Sequence, residues 1–119
     1  MRKIIDAHVH VTEKLLPVLQ ENCVYCIINS DNSYEYEMLQ KVKTSNMIIS
    51  AGIHPWKADI TDWNEMKPVL QKAEVIGEIG LDCVWCDVDL NIQRNVFLNQ
   101  LELAMQLEKP VVLHTKGME

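Results

Sequence analysis

Short apolar runs recur along this chain, and each is separated from the next by a stretch with helical spacing. The runs over residues 4–7, 24–29, 47–51, 74–77 and 111–114 show little polar alternation, the pattern of strands buried on both faces. Between them the spacing predicts four helices. Residues 13–20 form a short one, interrupted or started by Pro17. Residues 33–43 take Ser33 as cap and set Tyr36, Leu39, Gln40 and Lys43 at helical spacing. Residues 62–72 have Asp62 as cap and Glu65 three positions on, the reciprocal capping pattern. Residues 91–108 are the clearest: Asn91 caps, Phe97, Leu101, Ala104 and Met105 make the apolar stripe, and Pro110 forces the exit into the last strand. Strand and helix in alternation predict an α/β fold, a parallel sheet with helices outside it.

In such a sheet, chemistry gathers at the carboxyl ends of the strands. The polar residues fall there. His8 and His10 follow the first strand, Asn29, Ser30 and Asp31 the second, and Gly52-Ile53-His54-Pro55-Trp56 the third. Glu78-Ile79-Gly80-Leu81-Asp82 follows the fourth and His114-Thr115-Lys116 the fifth, so all 4 histidines sit at strand ends. Alternate side chains of a strand share a face, which projects His8 and His10 together with Asp6 behind them. Two imidazoles side by side can chelate a divalent metal. For that pair alone, a solvated strand end is the competing reading. Glu78 closes the apolar run Val75-Ile76-Gly77, where an unpaired carboxylate is costly to bury. A cation removes that cost, and so does a salt bridge to Lys116 or Arg94. The candidate ligands are thus His8, His10, Glu78 and His114. A carboxylate can bridge two ions, and an ion pair can activate water. His54, before a proline in a tight loop, either caps the third strand or contacts substrate.

Composition narrows the picture further. The chain has 119 residues with a formal net charge of −6, enough for one modest core and unfavourable to non-specific binding of nucleic acid or anionic membrane. Bound metals would restore local positive charge. No apolar run is long enough to span a bilayer and the first residues do not read as a signal peptide, so a cytoplasmic location and no membrane partner are expected. The 4 glycines lack the spacing of a phosphate loop, and no serine-centred elbow appears. Cys23/Cys26 and Cys83/Cys86 form two C-x-x-C pairs, too far apart for a compact zinc ribbon. They are expected to be reduced and not to share a metal. Cys23 and Cys26 suit strand packing. Cys83 and Cys86 lie in a loop beside the site with Trp85, Asp87 and Asp89, where loop packing leads and a substrate-facing or redox role stays open. Met38, Met47, Met66 and Met105 read as core fillers. Trp56 and Trp85 can wall a pocket or stack a nucleobase, Trp63 packs, and Glu35 with Glu37 reads as a solvated helix face.

The ordered set of motifs resembles the TatD-like metal-dependent hydrolases of the amidohydrolase superfamily. The matching pieces are Asp6-Ala7-His8-Val9-His10, Gly52-Ile53-His54-Pro55, Ile76 to Asp82, Gln93-Arg94-Asn95-Val96-Phe97 and Lys109 to Lys116. The resemblance implies a parallel (β/α)8 TIM-type barrel with a site for one or two divalent ions (zinc, magnesium or manganese). It assigns His8 and His10 to the first metal, Glu78 to binding or bridging and catalysis, and His114 to the second. It also implies hydrolysis, often of DNA phosphodiesters by metal-activated water. His54, Trp56 and Lys116, by their places at the strand ends, are the expected substrate contacts. A complete barrel takes on the order of 250 residues. Residues 1–119 are therefore expected to form a single incomplete barrel domain, its N-terminal portion with about the first five strands, and a further ligand His and a late Asp of the family are expected beyond Glu119. Such a portion is expected to leave Val112 and Ile28 without partners, to self-associate and to turn over little substrate. A small-molecule amidohydrolase acting on an amide, lactone or ester is the alternative enzyme. The acidic charge and short first loop favour it, since only Lys57, Arg94 and Lys116 are placed to meet DNA. A truncated, inactive metal-binding scaffold is the third reading.

Overall fold

Five parallel strands lie side by side in the order of the sequence, β1-β2-β3-β4-β5. The computed structural model describes residues 4–21 and 24–117. The strands are β1 (Ile4–Val9), β2 (Val24–Ser30), β3 (Met47–Ala51), β4 (Val75–Asp82) and β5 (Val111–Lys116). The helices are α1 (Leu15–Glu21), α2 (Ser33–Val42), α3 (Trp63–Lys72) and α4 (Leu90–Gln106), with a 3₁₀ turn at Pro55–Lys57. The expected α/β order is present, and the differences lie in boundaries and faces.

Helix starts shift to stronger caps. Asn32, not Ser33, caps α2, its side chain accepting from the Glu35 amide at 2.7 Å. Asp89, not Asn91, caps α4, accepting from the amides of Asn91 at 2.8 Å and Ile92 at 3.3 Å. Asp62 caps α3 as expected, but the Glu65 carboxylate reaches across to the Ser33 hydroxyl, 3.5 Å away, and so ties α3 to α2. Pro17 falls in the first turn of α1, where its missing N–H costs no helical bond. Lys109 closes the far end of α3, its ammonium donating to the carbonyl of Leu70 at 3.0 Å, where the helix dipole favours a cation.

The strands run further than the apolar runs suggested. β4 continues through Glu78 to Asp82 because Ile79, Gly80 and Leu81 go on pairing with Leu113, His114 and Thr115. Glu78 therefore lies within β4 rather than beyond it, and β5 runs two residues past His114. From Gly77↔Val112 to Ile79↔Leu113, β4 spends one residue more than β5, and the extra residue is Glu78. From Asp6↔Cys26 to Val9↔Ile28, β1 likewise spends one more than β2, in the stretch that carries His8. Such bulges bend a strand and re-aim the side chain they carry. The Asp6 side chain lies outside the described residues. Gly80, at φ 152°, lies so close to β5 that a Cβ there would fall on the His114 carbonyl oxygen, which makes it glycine by necessity.

The core sits between the sheet and its helices. Ile28, Met47, Ile49, Ile76 and Ile79 pack there with Leu39, Met66, Leu70 and Leu103. Burial on both strand faces is only partial, since Ile27 and Ile48 on the other face are half-buried. Ile28 is thus fully buried on the helix side, contrary to its expected lack of partners, and Val112 is half-buried. Met47 and Met66 fill the core, whereas Met38 and Met105 are exposed, Met105 to 77 %. The buried stripe of α4 is Gln93, Gln100, Leu103 and Ala104, with Val96, Phe97 and Leu101 flanking it. It is turned from the expected stripe because two glutamines take core-facing positions. Trp63 packs against the core as expected. Among the described residues no helix is long and apolar enough to cross a membrane.

Candidate metal centre

All four histidines and Glu78 meet at the carboxyl ends of β1, β3, β4 and β5. His8 and His10 bring their Nε2 atoms within 3.2 Å of each other. Two bare lone pairs at that distance repel, so these nitrogens need a cation between them or protons that they donate, for which the nearest acceptor is Glu78. The buried Glu78 carboxylate faces them, with Oε2 3.2 Å from His8 Nε2 and Oε1 3.0 Å from His10 Nε2. His114 Nδ1 approaches Glu78 Oε2 from the other side at 3.6 Å. His8, His10 and Glu78 make one group able to grip an ion, and His54, Glu78 and His114 make a second, each with its ligand atoms within 4.8 Å of one another. Glu78 belongs to both, as a bridging carboxylate would. Imidazoles with a carboxylate suit zinc or manganese, so the donor set fits a divalent ion. The alternative salt bridge to Lys116 is not what forms: the Lys116 ammonium lies 4.4 Å over the Trp85 ring. Arg94 is exposed on α4.

His114 is held from behind. Its Nε2 lies 2.9 Å from Asp82 Oδ2. A carboxylate only accepts, so Nε2 carries the proton and Nδ1 keeps its lone pair toward Glu78. Asp82 is fully buried. Burial alone would raise its pKa, but hydrogen bonds from the Trp56 indole, the Trp85 amide, His114 and the Val84 amide outweigh that and hold it well below the usual carboxylate range. A carboxylate behind a ligating histidine fixes its ring and tautomer.

Two glutamines of α4 set the loops that carry these groups. Gln93 Oε1 accepts from the Asp82 amide at 2.8 Å while its Nε2 donates to the Asp82 carbonyl at 3.1 Å. Gln100 does the same for Ile53, with bonds of 2.6 and 3.2 Å, and so fixes the residue before His54. His54 caps the 3₁₀ turn, its Nδ1 accepting from the Trp56 amide at 3.2 Å. Its ring centroid is 4.5 Å from that of His114. Burial, then the neighbouring His114, push its pKa below the ordinary imidazole value, which favours a neutral ring.

A cavity of about 310 Å³ opens beside the carboxylate, lined by His10, Asn29, Ser30, Asp31, Glu35, His54 and Glu78. Glu35 is therefore not on a solvated face. The Asn32 cap starts α2 early enough to turn Glu35 into this cavity, where burial first and Asp31 second raise its pKa. Glu37 is the exposed member of the pair and reaches Lys72 at 3.4 Å. Asp31 pairs with Lys57 at 3.3 Å. Asn29 is buried, its Oδ1 accepting from Ser50 Oγ at 2.6 Å, while its Nδ2 has no partner among the described residues. Leaving a buried donor unpaired costs roughly 1–3 kcal/mol.

A larger cleft of about 730 Å³ adjoins the centre, lined by Trp56, Asp59, Ile60, Trp85, Cys86, Asp87 and Val88. The two tryptophans wall it as expected. Cys86 Sγ sits 3.6 Å from the Pro55 carbonyl and Cys83 Sγ 3.4 Å from that of Gly117, which is loop packing. Cys26 is buried in β2, and Cys23 lies outside the described residues. Among the described residues no cysteine belongs to a metal-binding group.

The solved structure of the TatD homologue YjjV from Escherichia coli K12 has the same fold, with a TM-score of 0.77 at 23 % identity over 96 % of this chain and 51 % of that one. The chain thus has the fold of the (β/α) TIM-type barrel of that family, with five of its strands among the described residues. A protein of Methanocaldococcus jannaschii named uncharacterized metal-dependent hydrolase MJ1582 is 28 % identical over 98 % of this chain and 52 % of its own length. The human 3'-5' RNA nuclease TATDN2 is 37 % identical over 55 % of this chain and 9 % of its own length. The chain spans about half the length, or less, of the relatives it matches. The family model described as TatD related DNase matches residues 5–119, and the chain belongs to that family.

Proposed function

We propose that this chain carries the metal centre of a hydrolase that cleaves phosphodiester bonds of DNA. The observation that carries the reading is the buried Glu78 carboxylate shared between two sets of histidines. His8, His10 and Glu78 would hold one divalent ion, and Glu78, His114 and His54 a second. Divalent ions in such a site supply Lewis acidity and lower the pKa of a coordinated water. Glu78 is the central catalytic group, because its position sets both ligand sets at once. Asp82 keeps the His114 lone pair on the site. Trp56 and Trp85 offer flat apolar faces on which bases stack, and Lys57 and Lys116 place positive charge at the rim. The family description names a DNase and one relative is named an RNA nuclease, both of which act on phosphodiesters.

A second reading, a small-molecule amidohydrolase, has a specific observation behind it. Asp31, Glu35 and Glu78 all line the 310 Å³ cavity, and carboxylates repel phosphate until cations offset them. An assay with manganese-loaded protein separates the two. Whatever slow turnover these 119 residues retain is expected to fall on end-labelled single-stranded DNA, with ester and lactone probes left intact. Replacing both His8 and His10 by Ala is expected to abolish cleavage and tight zinc or manganese binding with an unchanged circular dichroism spectrum, since both side chains are exposed. Turnover of esters with DNA untouched contradicts the DNase reading. Unchanged metal stoichiometry in the double variant contradicts the ligand assignment.

A further inference from the structure

The buried end of β2 places an unused donor at the metal centre. Ile28, Asn29 and Ser30 are consecutive buried residues, and the Ser30 hydroxyl is spent on the Ser50 carbonyl at 2.6 Å. Ser50, fully buried on β3, places its hydroxyl 2.6 Å from Asn29 Oδ1 and 3.1 Å from the Gly77 carbonyl, and the amide lies with its oxygen toward Ser50. Asn29 is only 4 % exposed and lines the cavity with His10, His54 and Glu78, and its Nδ2 has no partner among the described residues. The other polar residues of the cavity wall are three carboxylates, two imidazoles and a hydroxyl already committed. A desolvated N–H donor on a residue that lines such a cavity matches an oxygen acceptor that arrives with a ligand.

We propose that Asn29 is a substrate-binding residue whose Nδ2 donates a hydrogen bond to a phosphoryl oxygen in the cavity beside Glu78. This rests on the phosphodiesterase reading for its choice of oxygen. The donor is anchored by neutral partners, so it adds specificity for an oxygen acceptor without adding charge to a cavity already rich in carboxylates. A merely structural Asn29 would be indifferent to ligand.

The test uses inorganic phosphate as probe with the magnesium-loaded, ¹⁵N-labelled 119-residue chain. The side-chain amide resonances of Asn29, identified by their loss in Asn29→Asp, are expected to shift as phosphate saturates. Asn29→Asp keeps the size of the side chain and the acceptor for Ser50 but replaces the donor with a carboxylate oxygen. It is expected to weaken phosphate binding by at least about tenfold. Asn29→Ala checks that the loss follows the donor rather than the added charge, and is expected to weaken phosphate in the same direction. Phosphate that binds without moving the Asn29 amide, phosphate that does not bind the parent, or an Asp variant that binds it equally well overturns the proposal. DNA and ester turnover measured on the same samples judges the phosphodiesterase reading separately: an Asn29 shift with esters cut and DNA untouched keeps this donor and discards that reading.

Discussion

Glu78→Gln is expected to weaken divalent metal binding by more than about a hundredfold, beyond the 10–100-fold typical of losing a supporting residue behind a ligand. The replacement keeps the volume and one acceptor. It removes the charge that faces His8 Nε2 at 3.2 Å, His10 Nε2 at 3.0 Å and His114 Nδ1 at 3.6 Å. A shared ligand is lost to both histidine sets together, so neither set retains a carboxylate to offset an ion. Stability in metal-free buffer is expected to hold or to rise, because an amide is cheaper to bury than a carboxylate. Isothermal titration with zinc, set beside urea unfolding with chelator present, reads both effects. Metal affinity kept within tenfold would remove Glu78 from the centre.

Asp82→Asn is expected to act through His114 and through the fold together. The carboxylate accepts from the Trp56 indole at 2.7 Å and from His114 Nε2 at 2.9 Å, and from the Val84 and Trp85 amides at 2.9 and 2.8 Å. An amide cannot accept all four bonds. Its NH2 group faces either the backbone amides or the indole and imidazole. If it faces the imidazole, His114 is driven to the tautomer with its proton on Nδ1, the atom turned to Glu78. Metal affinity is then expected to fall about 10–100-fold. Losing two bonds to a charged acceptor, at roughly 1.5–3 kcal/mol each, is expected to cost about 3 kcal/mol or more. For a chain of this size that lowers Tm by about 10 °C.

The same carboxylate sets an acid limb. Its folded pKa lies below the ordinary value near 3.8, so between the two the unfolded chain binds more protons and stability rises with pH. The contribution of Asp82 is complete above about pH 5 and drains away as pH falls through 4 and below. Asp82→Asn is expected to flatten that part of the stability-pH curve. Equal slopes in parent and variant would show that Asp82 is not the group responsible.

Much of this centre was legible in the chain because strand-end chemistry leaves strong local signals. A glutamate closing the run Val75-Ile76-Gly77 demands a partner, and H-x-H on a strand offers two. The bulges at Glu78 and before Val9 were not legible, since a register shift belongs to the pairing of two strands and not to either one. Glu35 was hidden by its neighbour: Glu35 and Glu37 look like one solvated face until the Asn32 cap fixes where α2 begins. The signal lay in the spacing, because a residue three after a capping Asn at a strand end sits in the turn beside the site. Gln93 and Gln100 broke the stripe of α4 for a related reason. Amides that clamp Asp82 and Ile53 backbone occupy core-facing positions that hydrophobic spacing assigns to apolar side chains, and Met105 is turned outward in consequence. Asp82 stood out only as a polar strand end. Its four hydrogen-bond partners come from the 3₁₀ turn, the loop after β4 and β5, and no local pattern joins them.

His8, His10, Glu78 and His114, with His54 beside them, are expected to form a divalent metal centre. Anomalous diffraction from crystals soaked in manganese, collected on both sides of the manganese absorption edge, tests it most directly. A peak is expected within bonding distance of Glu78 and the Nε2 atoms of His8 and His10, with any second peak between Glu78, His114 and His54. Peaks at Cys83 and Cys86, or none near Glu78 at saturating manganese, would contradict it.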